Sequence, residues 1–301
     1  MFCYIAHGIV IHSDIFFPEL VMTPGKADAF IYLGKVERPS DSRVSLNCLK
    51  ATAQEVYLFW EGICTIMVRD GREIIVDPFP DVEQDKLRTF ILGVALAVLL
   101  HQQKLLVLHA SAVEVNGSVV AFIGDKGWGK STTTAALHAR GYKVVTDDLL
   151  VLEVNDTECP IVFPGFPQLK LWPDSVAALG DDPATLKRIY SQVEKRVRRV
   201  SDDFSQTPLP LKCIYVLDIA SSHKIELIQG QEVFTELVRH SFVAKLLQAT
   251  DTAYSHFQQC VRLASCVPVY RLKRQPSLQD LPAIAQLIEE HIVHDFDLAK
   301  V

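Results

Sequence analysis

One short stretch of this chain has the residue types and the spacing that surround a phosphate group. Gly124, Gly129, Lys130 and Ser131 fit the pattern G-x-x-x-x-G-K-[ST]. Glycines allow a tight turn whose N–H groups point into one concavity, the lysine can reach the outer phosphates of a nucleotide, and the hydroxyl can ligate Mg²⁺. A turn that only caps a helix needs neither the lysine nor the hydroxyl. The stretch therefore predicts a nucleotide-phosphate site.

Two adjacent carboxylates interrupt an apolar run downstream of this stretch. Asp147 and Asp148 lie between Val144-Val145-Thr146 and Leu149-Leu150-Val151-Leu152. Paired acids inside a buried strand are costly unless they hold a cation or share a proton. The alternative is a solvated strand end, but the phosphate pattern upstream already requires a metal partner. The pair is therefore predicted to hold a metal ion or to take up a proton.

The elements around the glycine stretch are those that a phosphate loop requires. Residues 118–123 predict a buried strand and residues 132–140 a helix. Residues 105–115 predict a second strand, joined to the first by a hairpin at Asn116-Gly117. This hairpin would place His109 next to the strand that delivers the loop. His109 would then tune the Asp pair or contact the γ-phosphate, with a satisfied core histidine as the alternative.

Two further basic features are weaker candidates for contacting a transferred phosphate group, and a third is a weaker candidate for any functional role. Lys170 follows a proline-punctuated loop, and residues 187–199 contain six cations. That basic segment predicts either a solvated helix face or a mobile segment that approaches a phosphate or an acidic substrate. Arg239 lies on a helix predicted over 231–248, where a surface or interhelix role is the alternative to function.

Composition excludes several functional classes. The 301 residues are 49% hydrophobic and 22% charged, which is typical of a soluble globular protein. A net charge of −6 and a pI near 5.9 argue against general nucleic-acid binding. Seven scattered cysteines without a C-x-x-C pair indicate reduced thiols in the cytoplasm. With no secretory signal, and with an apolar run at 90–100 too short to span a bilayer, no membrane role is expected.

The sequence predicts an α/β protein in two parts. Residues 1–82 contain short alternating runs separated by turn signals, including Asp70-Gly71, and predict a β-rich N-terminal region. Residues 83–301 begin with a helix predicted over 85–103 and contain the phosphate loop. We assign this second part the nucleotide-binding and catalytic role.

The motif block resembles the HPr kinase/phosphorylase family, and its layout is similar to that of ATP-dependent phosphoenolpyruvate carboxykinases. The resemblance covers residues 108–152 and rests on Leu108-His109-Ala-Ser, the glycine loop and Val145-Thr146-Asp147-Asp148. A looser resemblance extends to the kinase-like proteins of bacterial lasso-peptide gene clusters. It rests on His7-Gly8-Ile9, Ser13-Asp14, Pro18-Glu19-Leu20, Pro164-Gly165, Pro167, Leu171-Trp172-Pro173-Asp174 and Pro268-Val-Tyr-Arg-Leu272.

The resemblance implies an HPr kinase-like P-loop fold and transfer of the ATP γ-phosphoryl group to a serine hydroxyl of a peptide or small protein, such as a lasso-peptide precursor. ATP and Mg²⁺ are the expected cofactors. The expected catalytic residues are Asp147, Asp148, His109 and Lys130. Asp147 is the candidate base, and Ser131 and Asp148 are the candidate metal ligands, although the two Asp roles can be exchanged. The expected nucleotide-binding residues are Gly124, Asp125, Lys126, Gly127, Trp128, Gly129, Lys130, Ser131 and Thr132.

Two other functions stay open at this point. The chain could be a nucleotide-binding regulatory module, or a P-loop ATPase without an acceptor. His109 favours the kinase, because a plain switch has no need of a histidine on the neighbouring strand. The acceptor, a phosphoryl donor other than ATP and the oligomeric state, including a homo-oligomer, are not decided by the sequence.

Overall fold

A computed structural model describes residues 1–39, 45, 47–155 and 159–298 of the protein, with side chains described through His294. The first part of the chain forms a sheet of eight strands. They are β1 (Phe2–Ala6), β2 (Ile9–Ser13), β3 (Val21–Met22), β4 (Ala29–Leu33), β5 (Cys48–Ala51), β6 (Glu55–Trp60), β7 (Cys64–Arg69) and β8 (Glu73–Pro78). Their order is β3-β1-β2-β4-β8-β7-β6-β5. Neighbours are antiparallel except β2–β4 and β4–β8, which are parallel.

The turn between β7 and β8 agrees with its sequence signal. Asp70 and Gly71 both have left-handed φ angles, 54° and 60°. Two such residues in succession make the turn whose twist matches antiparallel strands. Arg69 pairs with Glu73 on either side of the turn. The predicted hairpin is confirmed.

A second large sheet carries the phosphate loop. Its strands are β9 (Leu106–Val115), β10 (Ser118–Ile123), β11 (Lys143–Thr146), β12 (Leu149–Glu153), β13 (Ile161–Phe163), β16 (Leu209–Ile219), β17 (Lys224–Leu227) and β18 (Val269–Arg274). Two strands between these, β14 (Gln168–Leu171) and β15 (Arg196–Arg199), pair with each other in a separate two-stranded sheet. Parallel pairing joins β10 to β16 and β16 to β18. The carboxyl ends of these three strands therefore meet at one edge.

The helices cover both faces of this second sheet. They are α1 (Gln84–Phe90), α2 (Leu96–Gln102), α3 (Lys130–His138), α4 (Pro173–Ala178), α5 (Gln231–Arg239), α6 (Ala253–Cys266) and α7 (Leu281–Leu298), with a π-helical turn at Ile91–Ala95 joining α1 to α2. One hydrophobic cluster packs α5 and α6 on one face, and another packs α3 and α7 on the opposite face. The predicted α/β class is confirmed. Among the described residues, no helix combines the length and the apolar character needed to cross a membrane.

Two secondary-structure predictions are wrong. The helix predicted over 231–248 ends at Arg239, because the chain after it pairs with β9: His109 N–H donates to His240 O at 2.8 Å. The basic segment 187–199 is not a helix face. Its last four residues are β15, which pairs with β14, and the residues before β15 form turns and bends. Long-range strand pairing decides both cases.

One buried histidine lies at the turn between β1 and β2. His7 is 1% exposed, and both its ring nitrogens lack a hydrogen-bond partner among the described residues. Its ring packs edge-on against Phe166, with 6.1 Å between centroids. Burial lowers the pKa of His7 to about 3. The imidazole therefore stays neutral in the folded protein at any pH where the protein is normally handled.

The protein is expected to lose stability as the pH falls from about 6.5 towards 4. Burial lowers the pKa of His7 in the folded state. Its contribution to the free energy of unfolding is therefore fully present above the pKa that it has in the unfolded state, and it is lost as the pH falls below that value. For His7 alone, the free energy of unfolding should fall by about 2 kcal/mol between pH 7.5 and pH 5. Urea unfolding across this range should show a smaller pH slope for H7N. Asn tolerates the left-handed φ of 52° at this position.

The matched control is H294N, which replaces an exposed histidine. An H7N protein with the pH slope of the unaltered chain would contradict the assignment. The absolute stability of H7N does not enter the test, since the smaller side chain leaves a cavity in any case.

Candidate active site

The glycine loop has the geometry that its sequence predicts. It begins where β10 ends and finishes where α3 begins. Gly124, Gly127 and Gly129 all have positive φ angles, 153°, 87° and 83°. Side chains would also be crowded at two of these positions: a Cβ at Gly124 would make a tight contact of 3.2 Å with Leu217 Cβ, and one at Gly129 would lie 2.6 Å from Arg274 Nη2, which would have to move. The predicted strand–loop–helix unit is confirmed.

Lys130 is folded back over its own loop. Its Nζ donates to Gly124 O at 2.8 Å and lies 3.4 Å from Asp125 O. Burial lowers the pKa of Lys130, while the nearby carboxylates of Asp148 and Asp147 oppose that shift. The ammonium group is thus held by loop carbonyls at the position where phosphate oxygens would compete for it.

Asp147 is buried and fully hydrogen-bonded. Its Oδ1 accepts from Ser131 Oγ at 2.7 Å and from Ser111 Oγ at 2.6 Å, and its Oδ2 accepts from Lys170 N–H at 2.9 Å. Burial raises the pKa of Asp147, and the adjacent Asp148 raises it further. The carboxylate links the first turn of α3 to β9 and β14, and only 6% of the residue is exposed.

Asp148 points into the cavity beside Asp147. Its φ of 74° turns the chain between β11 and β12 and separates the two carboxylates. Lys170 Nζ lies 2.8 Å from Asp148 Oδ2, and His109 Nε2 lies 3.9 Å from Asp148 Oδ1. Burial alone would raise the pKa of Asp148, but the Lys170 ammonium outweighs burial and holds it below its ordinary range. Asp148 is therefore ionised and accessible.

His109 lies on β9, as predicted, and faces Asp148. Burial lowers its pKa to about 4, with a further lowering from the charge of Lys130. Its ring packs edge-on against Phe242, with 5.8 Å between centroids. At neutral pH it is uncharged, so it can offer a hydrogen bond to the site but no positive charge.

Arg274 is a site residue that the sequence analysis missed. It ends β18 and is 8% exposed, and its Nη2 donates to Trp128 O in the glycine loop. Its Nε has no partner among the described residues, and none of the described carboxylates pairs with its guanidinium. Burial lowers the pKa of Arg274. A buried guanidinium without a counter-ion is costly, and a bound anion would relieve that cost.

A second arginine holds the opposite side of the loop. Arg239, the last residue of α5, forms an ion pair with Asp125 Oδ2. Both side chains are substantially exposed, so the pair adds little stability. It does neutralise an acid in the middle of the loop. Arg239 therefore lies at the phosphate loop, but its charge is already paired with that of Asp125.

A cavity of about 180 Å³ is lined by the glycine loop, by Asp148 and by Arg274 at the end of β18. Charged groups occupy one side, and Trp128, Trp172, Ile219, Pro276, Leu278 and Leu281 supply apolar surface. Of the predicted nucleotide-binding residues, those that line it are Lys126, Gly127, Trp128, Gly129, Lys130, Ser131 and Thr132. Gly124 and Asp125 belong to the same loop but do not line the cavity. Lys195 also lines the cavity, and its Nζ lies 5.8 Å from the centre of the Trp172 ring.

The oxygen atoms at the start of α3 fit a magnesium ion. Ser131 Oγ and Asp147 Oδ1 lie together, and Mg²⁺ in nucleotide sites takes one or two protein oxygens along with phosphate oxygens and water. The described residues include no cluster of three or more His, Cys, Asp or Glu side chains able to hold a metal unaided. The predicted ligand pair, Ser131 and Asp148, shares no hydrogen bond. Ser131 contacts the other acid of the pair.

Gly129→Ala is expected to weaken ATP binding about tenfold or more, because the added Cβ displaces the Arg274 guanidinium. Isothermal titration calorimetry would measure this. The matched control is Gly117→Ala, where φ is also positive, 74°, but no atom lies within 4 Å of the added Cβ. Both variants bear a similar backbone strain of about 1 kcal/mol, so equal losses of ATP affinity would contradict the role of Arg274.

Comparisons with known proteins find similarity to solved structures only, and that similarity is weak in sequence. No described protein family and no curated protein matches the sequence. Among solved structures, the chain is similar to the Hpr(Ser) kinase/phosphatase from Coxiella burnetii. The two share 13% sequence identity at a TM-score of 0.33, and the similarity covers 62% of this chain and 97% of the other.

Proposed function

We propose that the protein is a kinase that transfers the γ-phosphoryl group of ATP to a hydroxyl group. The observation that carries the proposal is the convergence on one cavity of a glycine phosphate loop, an ionised carboxylate at Asp148 and a buried guanidinium at Arg274 that has no counter-ion among the described residues. Phosphoryl transfer depends on positioning and on charge neutralisation more than on covalent catalysis. The loop supplies N–H groups that bind an anion, Asp148 supplies a group that orients the acceptor hydroxyl, and Arg274 supplies a positive charge opposite the phosphates.

The phosphates would be held from three directions. Loop N–H groups and the start of α3 favour an anion at that position. Lys130 Nζ would exchange its loop carbonyls for phosphate oxygens, and Arg274 would gain the anion that it lacks. Ser131 and Asp147 would hold Mg²⁺, which in kinases neutralises charge on the phosphates.

The two Asp roles are exchanged in this proposal relative to the sequence-based assignment. Asp147 is enclosed and bonded to Ser131, which supports a metal-binding role. Asp148 lines the cavity, which supports a role as the base. The acceptor oxygen would form a bond to the γ-phosphorus as the bond from that phosphorus to the bridging oxygen breaks, and ADP would leave. The hydroxyl proton would pass to Asp148.

Lys170 and His109 would act on Asp148 and not on the phosphates. Lys170 keeps the carboxylate ionised and fixed at one oxygen. His109, uncharged, faces the other oxygen at 3.9 Å. Both are therefore positioning residues for the proposed base.

For the acceptor, we propose a serine hydroxyl of a peptide or small protein, and the first candidate is a lasso-peptide precursor. Support for this comes from the resemblance of residues 108–152 to the HPr kinase/phosphorylase family and from the looser resemblance of the flanking segments to the kinase-like proteins of lasso-peptide gene clusters. A regulatory module has no use for an accessible carboxylate beside a neutral histidine. A P-loop ATPase would use the same carboxylate to orient water, so the fate of the γ-phosphoryl group separates it from the kinase.

An assay with γ-labelled ATP tests the proposal. Label transferred to a serine-containing precursor peptide is the expected result. Release of free phosphate alone would identify an ATPase, and binding of ATP without turnover would identify a regulatory module. Either outcome would overturn the proposal.

A further inference from the structure

Two cavities outside the phosphate site meet between the first sheet and the β14–β15 pair. One, of about 600 Å³, has walls that include Ile5, Val21, Met22, Phe163 and Phe204 and is largely apolar. The other, of about 700 Å³, is lined by many charged side chains. Both are lined by Pro18, Glu19, Gln168 and Arg199. We call the two cavities together the side groove.

One cation of the side groove differs from the others in having no partner. Four of the basic side chains that line the charged cavity pair with carboxylates: Arg88 with Glu19 and Asp85, Lys187 with Asp85, Arg188 with Glu194, and Arg198 with Asp181. Arg199 is exposed and, among the described residues, has no side-chain hydrogen bond or ion pair. Arg199 lies at the junction of the two cavities, where it would contact a negatively charged group of a ligand bound in the side groove.

Strand β14 connects this junction to the candidate active site. Gln168 pairs with Arg199, and two residues later Lys170 pairs with Val197, so all four side chains share one face. Lys170 then reaches both catalytic acids, through its N–H to Asp147 and its Nζ to Asp148. Two residues of strand span about 7 Å, which places the junction on the order of 10 Å from the acids.

A small cavity shares Glu19 and Gln168 with the side groove and Lys170 with the candidate active site. It has a volume of about 20 Å³, and its walls include Glu19, Phe166, Ile189 and Val197. This is room for about one water molecule. Ile189 lies outside every helix and strand, whereas Val197 is fixed in β15. The small cavity therefore lies on the line from the side groove to the acids, and Ile189 is the part of its wall outside the regular elements.

We propose that the side groove binds an extended segment of the acceptor polypeptide, with an apolar side chain in the apolar cavity and an acidic residue on Arg199. This inference rests on the proposed kinase function. An extended chain advances about 3.3 Å per residue, so a distance on the order of 10 Å corresponds to about three residues. The acidic residue is therefore expected about three positions from the phosphorylated serine.

The test uses a positional-scanning library of synthetic peptides, each with one fixed serine, and γ-labelled ATP. The variants are Arg199→Glu, which reverses the free charge, and Lys245→Glu, a matched reversal at an exposed lysine that lines none of these cavities. The unaltered protein and K245E should prefer an acidic residue near the serine about fivefold over a basic one. R199E should reverse this preference, with its ATP affinity unchanged.

The outcomes separate the two proposals. Labelled peptides with no acidic preference, or with a preference that R199E leaves intact, would overturn the side-groove inference and leave the kinase standing. A library in which the unaltered protein labels no peptide would overturn the peptide kinase, and the inference with it. Thermal unfolding of R199E checks that the exposed substitution has not disturbed the fold.

Discussion

Asp148→Asn is expected to lower the rate of phosphoryl transfer at least about 100-fold, because positioned bases contribute about 10²- to 10⁴-fold. ATP affinity should change little. Asp147→Asn should instead weaken binding of the Mg²⁺–ATP complex as well as turnover, since the amide is a poorer ligand beside Ser131. Single-turnover assays and titrations with and without Mg²⁺ would separate the two effects. Near-normal transfer by D148N would reject Asp148 as the base.

The D148N variant needs a control for its effect on folding. Removing the carboxylate leaves the Lys170 ammonium buried without its partner, which is destabilising. The double variant D148N/K170M replaces both members of the pair and should recover much of the lost stability. It should not recover activity. A double variant with restored transfer would show that Asp148 acts only by satisfying Lys170.

Arg274→Met is expected to weaken ATP binding about 10- to 100-fold, the loss of one or two charge-assisted hydrogen bonds to phosphate. Adenosine, which has no phosphate, should bind R274M and the unaltered protein alike. The free energy of unfolding should stay the same or rise, because the variant removes a buried charge that has no counter-ion. Titration calorimetry with ATP, ADP and adenosine would measure the series.

The matched control for R274M is Arg140→Met, at a surface arginine paired with Glu289. It should leave all three affinities unchanged. Equal losses of ATP and adenosine affinity in R274M would mean that Arg274 only supports the loop through Trp128 O and does not contact phosphate.

Local signals account for the parts of the site that the sequence predicted. The strand, the glycine loop and the helix follow one another in the chain, so the signals that predict them are local. The Asn116-Gly117 hairpin brings His109 next to the strand that precedes the loop. Asp147 and Asp148 follow from the cost of burying two carboxylates in one apolar run. Each of these inferences uses the chemistry of neighbours in the chain.

The missed residues depend on contacts between distant parts of the chain. Arg274 reaches the loop only because β18 pairs with β16 and β16 with β10, and strand order cannot be read from a single strand's composition. The Asp147–Ser131 contact depends on where α3 meets the end of β11. One signal was available for Arg274: ligands in parallel sheets bind beyond the carboxyl ends of strands, and Arg274 is the last residue of one.

The largest hydrophobic cluster combines residues from both sides of residue 82. It includes Ile66 and Val76 of the first sheet together with Leu96 of α2, and Val107 and Leu149 from the strands beside the acids. A fragment starting at residue 83 would therefore expose one wall of that cluster to water. Expression of such a fragment on its own is expected to give aggregated material.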